Sequence, residues 1–271
     1  MMKNGARVGS TNQCDSNNRK KRRVKFSSLR TKNAKESCVG RRGILVTCSP
    51  TQEAACRREA YQLLLEYLEI FLEKEPNNSV VNHALSLEDE LEQLRKEPSK
   101  DISVKNVDLN LVYALDVGVK GSVFFAFQPS IVLDPCVLVY KIMQDVEMTK
   151  VRKCRYSVRF IPVDGVCYAR KEEVSHLFRE IAERKVNALA ALEKNTFAVV
   201  FRKRNNSGVH RDEFIEAIAE QMPATFHVKL KNPDFSILVE VLKTSCLVTV
   251  VENYERYCKF NVHELWERLG R

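Results

Sequence analysis

The chain is poor in the residues from which most catalytic centres are built. It has nine glycines in 271 residues and no two of them form a G-x-G, so no dinucleotide fingerprint is present; P-loop and G-x-S-x-G motifs are absent as well. The five histidines, at 83, 176, 210, 227 and 263, include no H-x-x-x-H or H-x-E pair that would hold a metal. Nine cysteines, at 14, 38, 48, 56, 136, 154, 167, 246 and 258, include no C-x-x-C, and several lie in apolar runs. They are read as reduced, mostly buried small hydrophobes rather than metal ligands. Carboxylate neighbours such as Glu172 and Glu173 fall on polar helix faces, where a solvated surface is the simpler reading than an acid–base dyad. A Cys–His pair that meets only in space stays open. Apolar runs of membrane-spanning length are also missing: Lys243, Thr244 and Ser245 interrupt Val241–Val251, and Ser122–Phe127 is short. No apolar core follows the N-terminal charges, so a secretory leader is not expected. These absences predict an intracellular protein with no cofactor, no metal, no small-molecule substrate and no membrane span.

What the chain does have is unevenly placed charge. The net +9 divides into 13 Lys/Arg against 2 Asp/Glu over residues 1–42, 12 against 17 over 43–154, and 19 against 16 over 155–271. The first segment is thus the source of the excess, and it holds too few large apolar groups to offset the entropy of ordering; it is expected to be a disordered tail. Its densest run, Arg19, Lys20, Lys21, Arg22, Arg23 and Lys25, suits a nuclear-import signal, an auxiliary RNA contact, or both.

Periodicity predicts structure from Gly43 onward. Ile44–Cys48 reads as a buried strand, and a helix capped at Ser49-Pro50-Thr51 runs to about Glu75. Residues 76–106 read as an acidic insertion with a polar helix over Leu87–Lys96. Leu109–Val117 and Ser122–Gln128 read as strands around the Gly118–Gly121 turn, and Asp134-Pro135 opens a helix through Met148. A second unit is expected from Arg155. It has strands at Arg155–Val163, Thr196–Phe201, Phe226–Leu230 and Phe235–Val251, helices at Lys171–Leu192 and Arg211–Met222, and a short terminal helix in which Trp266 packs. The run ILVEVLKTSCLVTVV lacks alternation, as interior sheet covered on both faces should.

The richest stretch is TFAVVFRKRNNSGVHRDEF, Thr196–Phe214. A strand ends in Arg202, Lys203 and Arg204, a turn follows with Asn205 and Asn206, and a helix opens at Arg211. Strand ends, turns and helix N-termini all offer backbone amides, so the cluster suits phosphate or nucleic acid; the alternative is a solvated corner. Lys243 lies in an apolar run, where its ammonium must reach an acid such as Glu240 or solvent at a strand end.

The segments FRKRNNSGVHRDEFIEAIAE and NPDFSILVEVLKTSCLVTVVENYERYCKFNVHEL resemble the RNA-binding THUMP domain, and specifically its stand-alone, Tan1-like branch of tRNA-acetylation adaptors. GILVTCSPTQEAACRREAYQLLLEYLE looks like that branch's opening, and DPCVLVYKIMQDVEMTK with YSVRFIPVDGVCYA like its junction with THUMP. The resemblance implies an α+β fold: a ferredoxin-like domain over 43–154, the THUMP domain over 155–265, and a terminal piece at 266–271. It implies a non-catalytic adaptor that grips the acceptor end of serine and leucine tRNAs. The partner would be an RNA cytidine acetyltransferase forming N4-acetylcytidine in the D-arm. The expected location is the nucleus with its nucleolus, with the cytoplasm as the alternative. The family assigns no role to the acidic insertion. The alternative is a general RNA-binding factor of ribosome biogenesis or RNA processing. The acidic balance of 43–154 suits the contact with a basic acetyltransferase, or that domain only braces THUMP against tRNA.

Overall fold

The computed structural model describes residues 37–74 and 111–270; the basic run at 19–25 and the insertion at 76–106 lie outside the described residues. The first layer is a four-stranded antiparallel sheet in the order β2-β3-β1-β4, made of β1 (Gly43–Cys48), β2 (Val112–Asp116), β3 (Ser122–Phe127) and β4 (Ser157–Val163). The apolar run Ile44–Val46 has no polar face because β1 lies inside the sheet, with β3 on one side and β4 on the other. Helix α1 (Glu53–Lys74) follows β1 after a 3-10 turn at Pro50–Gln52. Helix α2 (Pro135–Thr149) starts where the sequence places it: Pro135 has no N–H to leave unsatisfied, and Asp134 Oδ1 accepts from the Cys136 amide at 2.8 Å. The succession β-α-β-β-α-β in this strand order is the ferredoxin-like arrangement.

The strand expected to open the second unit is the one that completes this first sheet. Ser157–Val163 pairs along β1, from Gly43↔Val163 to Cys48↔Ser157, so the boundary between the sheets falls at Asp164 and not near residue 154. Period-two alternation specifies a strand but not its partner, which is why the sequence misplaced it. Part of the segment expected to be a disordered tail is structured. Ser37–Arg42 is ordered: Cys38 is buried, Gly40 donates to Val166 O at 2.7 Å, and Phe127 donates to Arg42 O at 2.9 Å.

The second layer has five strands in the order β5-β9-β8-β6-β7: β5 (Gly165–Tyr168), β6 (Thr196–Arg204), β7 (His227–Val228), β8 (Phe235–Leu242) and β9 (Ser245–Glu252). β6 is parallel to β7 and β8, while β9 is antiparallel to β8 and β5. Ile237, Val239 and Val241 face a core shared with Phe178 and Ile181 of α3 (Lys171–Ala190) and Phe214 and Ile218 of α4 (Arg211–Ala219). Leu238 and Leu242, with Leu247 and Val251 of β9, join the core of the first sheet. Both faces of β8 are therefore buried, as the missing alternation implied; each fully buried leucine or phenylalanine contributes about 1.5–3 kcal/mol. Two details differ from expectation. Only His227–Val228 of the Phe226–Leu230 run pairs as a strand, and Phe235–Val251 is a hairpin turning at Lys243-Thr244. The last helix, α5 (Val262–Leu269), packs on α2 and β4, and Trp266 Nε1 donates to Lys150 O at 3.0 Å.

The eight described cysteines are free, seven of them buried. Cys136 lies with Asp134 and Asp164 in a group of the kind that holds a metal, but Lys185 Nζ fills the cation position. It sits 2.9 Å from Asp134 Oδ2, 2.7 Å from Asp164 Oδ1 and 3.1 Å from Cys136 Sγ. Burial opposes the lysine's charge, yet Cys136 and the two carboxylates raise its pKa far above the ordinary value.

Candidate nucleic-acid interface

The cationic end of β6 divides by strand parity. Arg202 and Arg204 point with Ala198 and Val200 towards the first sheet, and Lys203 points with Val199 and Phe201 to the opposite face. Arg202 Nη1 lies 3.4 Å from Glu240 Oε1, its register neighbour on β8, and Arg204 Nη1 donates to Ser122 Oγ of β3 at 3.3 Å. Burial raises the Glu240 carboxyl's pKa, and Arg202, Arg204 and Arg159 pull it part of the way back. The buried Tyr254 hydroxyl, which has no hydrogen-bond partner among the described residues, is pushed up to about 12 by burial, with Arg202 and Arg159 acting against the shift. Arg202 is therefore first the counter-charge of Glu240 within the second sheet, on the face that meets the first. Arg204 is half-buried and shared between the joint and the surface.

The turn after β6 is tied down by Asn206, whose Nδ2 donates to Lys243 O at 2.6 Å and whose Oδ1 accepts from the Val209 amide at 2.9 Å. Its amide is committed to the loop. Asn205 stays exposed, in the left-handed region at φ 53°, which asparagine tolerates better than most residues. Lys203 Nζ reaches Val209 O at 3.0 Å from an exposed position. Arg211, at the first position of α4, is exposed. That helix carries Asp212 and Glu213 in its first turn, and these acids take up the positive end of the dipole. A phosphate at this corner would therefore be held by side chains more than by helix amides.

Lys243 is corrected most. It is not inside a strand but at the exposed β8–β9 turn with φ 53°, its amide donating to Arg204 O at 3.1 Å. Glu240 has Arg202 as its ion-pair partner, so the acid that would have neutralised Lys243 is already taken. The Lys243 side chain lies over Gly118, in the turn between β2 and β3: a Cβ there would stand 2.7 Å from Lys243 Nζ. Gly118 has φ 68°, and Gly121 has φ 73° with Cys48 O where a Cβ would point, so this turn needs glycine at both ends. It presents Lys120 to solvent. Sequence reasoning missed Lys120, because nothing local to a Gly-x-x-Gly turn shows that it meets a hairpin more than a hundred residues away.

The corner therefore gathers Lys120 from the first sheet with Lys203, Asn205, Arg211 and Lys243 from the second, while Arg202 and Asn206 hold it in shape. Residues 168–251 match the model of the THUMP domain, so the second sheet and its helices are a THUMP domain, an RNA-binding class. Over most of its length the chain is similar to THUMP domain-containing protein 1. It is 31% identical to the protein from Homo sapiens, covering 83% of this chain and 64% of that one. It is 28% identical to the homolog from Drosophila melanogaster, covering 89% and 80%. The chain thus spans 63–65% of the length of the mammalian relatives it matches. Among solved structures, the THUMP domain of THUMP domain-containing protein 1 in solution is 30% identical, with a TM-score of 0.24, covering 29% of this chain and 85% of that one.

Proposed function

We propose that this protein is a tRNA-binding adaptor with no catalytic site of its own, presenting serine and leucine tRNAs to an RNA cytidine acetyltransferase for N4-acetylcytidine formation in the D-arm. One observation carries the binding half of the reading. Exposed cations at the β2–β3 turn (Lys120), the end of β6 (Lys203), the start of α4 (Arg211) and the β8–β9 turn (Lys243) lie at the corner where the THUMP domain meets the first sheet, which is how a phosphate backbone is met without reading base sequence. Asn205 adds an exposed amide able to bond a base edge or a ribose hydroxyl. The choice of the acceptor end, of those tRNAs and of the acetyltransferase rests on the resemblance to the Tan1-like proteins. The nuclear setting rests on the basic run at 19–25, which serves import, RNA contact or both. The acidic first domain is the proposed face for the enzyme.

The test is reconstitution on unmodified tRNA with acetyl-CoA. The pure protein should bind tRNA and form no acetylcytidine, and adding it to the acetyltransferase should raise that enzyme's yield on serine and leucine tRNAs. Acetylation by the protein alone would make it an enzyme. RNA binding with no effect on the acetyltransferase would favour a general RNA-binding factor.

A further inference from the structure

A row of polar side chains crosses the first sheet on the face that meets the second. Thr47 of β1 is the register partner of Ser122 on β3 and of Arg159 on β4, and directly paired residues share a face. The bond from Arg204 to Ser122 fixes which face it is, because Arg204 belongs to the second sheet. Arg159 reaches that face through an irregularity. The β1–β4 register shifts between Thr47 and Cys48, so Cys48 pairs with Ser157 and Val158 is the extra residue of a bulge. Ser157 keeps the helix side, donating to Glu59 Oε2 of α1 at 2.8 Å, and the bulge turns Arg159 to the other side. Strict alternation would have put both on the same side.

Opposite this row the second sheet presents Arg202, Arg204 and Glu240, so the joint holds three guanidiniums against one carboxylate. Glu240 is taken by Arg202, and Arg204 is met by the neutral Ser122 hydroxyl. Among the described residues, no hydrogen bond or ion pair engages the Arg159 guanidinium. Burial raises both the Glu240 carboxyl and the Tyr254 hydroxyl, and Arg159 acts against each rise, so its charge is felt at both. The Tyr254 hydroxyl is itself buried with no partner among the described residues.

Two features here are costly unless something answers them. The excess positive charges repel one another in an enclosed joint, and a buried hydroxyl without a partner forfeits its hydration. One occupant answers both, because a small oxyanion accepts from guanidinium forks and from hydroxyls at once. Its size follows from burial. Ser122, Thr47 and Tyr254 are 1%, 7% and 3% exposed, so the ligand enters alone and not as a link in a nucleic-acid chain.

We propose that the joint between the two sheets binds one free phosphate-sized oxyanion, held by Arg159, Arg204 and the hydroxyls of Tyr254, Thr47 and Ser122. The site is separate from the lysine corner, and the inference does not rest on the RNA-binding reading.

The test uses the full chain with inorganic phosphate, compared with chloride at matched ionic strength. Equilibrium dialysis against labelled phosphate should find a single saturable site. At ten times its Kd, phosphate should raise the melting temperature by roughly 3–6 °C, the shift that linkage gives for a chain of this size. Arg159→Gln should abolish that rise and melt in chloride no lower than the unaltered chain, because an unanswered charge has gone. Tyr254→Phe should weaken phosphate binding about tenfold, as loss of a hydrogen bond to a charged group does, and hold its melting temperature in chloride. Lower melting temperatures for both variants in chloride, with the phosphate rise intact, would make these groups structural and overturn the inference. So would an unaltered chain that ignores phosphate. Saturating tRNA should leave the bound phosphate in place; its displacement would identify the occupant as an RNA phosphate and reject the free anion. A chain that binds phosphate but not tRNA would support the inference and defeat the RNA-binding reading alone.

Discussion

Lys185 Nζ lies 2.7 Å from Asp164 Oδ1, and with that contact a helix of the THUMP domain is fastened to the residue where one sheet hands over to the other. Asp164 Oδ2 is also occupied, by Thr249 Oγ1 at 2.9 Å and the Val250 amide at 3.0 Å. The corner proposed to meet RNA is built from both domains, so its shape depends on this joint. Lys185→Met should remove the cation and leave two carboxylates facing a buried thiol, at a cost of about 3–5 kcal/mol. Chemical denaturation checks it; a change below about 1 kcal/mol would mean the joint is solvated and loose.

The same joint sets a pH dependence. Burial raises the Asp134 carboxyl, but Lys185 and the Cys136 amide outweigh it and hold the group below its ordinary value of 3.8. A depressed carboxyl stabilises the fold above its unfolded pKa, and that contribution is lost as pH falls through the folded value. The native protein should therefore lose stability on acidification below about pH 4. Lys185→Met reverses the sign, because without the ammonium desolvation raises the Asp134 carboxyl and protonation relieves it. Its melting temperature should rise from pH 7 towards pH 5 relative to the unaltered chain, and parallel curves would contradict the assignment.

The parity of β6 separates two kinds of arginine and lysine. Lys203→Ala and Lys243→Met should weaken tRNA binding with the melting temperature unchanged, because neither side chain pairs with a buried acid. Arg202→Ala should instead cost stability, about 3–5 kcal/mol if Glu240 is left charged and buried. Thermal melts beside tRNA titrations make the distinction. Lost stability in Lys243→Met at constant affinity would restore the reading of that residue as a structural counter-charge.

Deleting residues 1–36 should flatten the fall of affinity with salt and weaken all RNAs alike, because each tail contact with phosphate adds roughly 0.7–0.9 to the log–log slope. An unchanged slope, with mislocalisation in cells, would assign the run at 19–25 to import.

Much of this fold is legible in the sequence because its signals are local. Asp134-Pro135 marks a helix start through one amide bond, and the unbroken apolar run at β8 marks a strand buried on both faces. The placement of Ser157–Val163 was not legible, since its alternation fits an edge strand of either sheet. The candidate site was half legible. Arg202, Lys203, Arg204, Asn205 and Asn206 announce themselves as a cluster, but period two sends neighbours to opposite faces. Which arginine faces Glu240 and which lysine faces solvent depends on a strand that lies next to it only in space. Lys120 was invisible for the same reason: its company comes from the topology of the first sheet.

The most direct test is tRNA affinity after charge reversal at the three exposed lysines that meet at the corner. Lys120→Glu, Lys203→Glu and Lys243→Glu combined should lower affinity at least a hundredfold at low salt. The salt slope should drop by about two to three units, since three phosphate contacts are lost, and the melting temperature should hold. Unchanged tRNA affinity in a folded triple variant would contradict the account, and would move the RNA-binding surface away from this corner altogether.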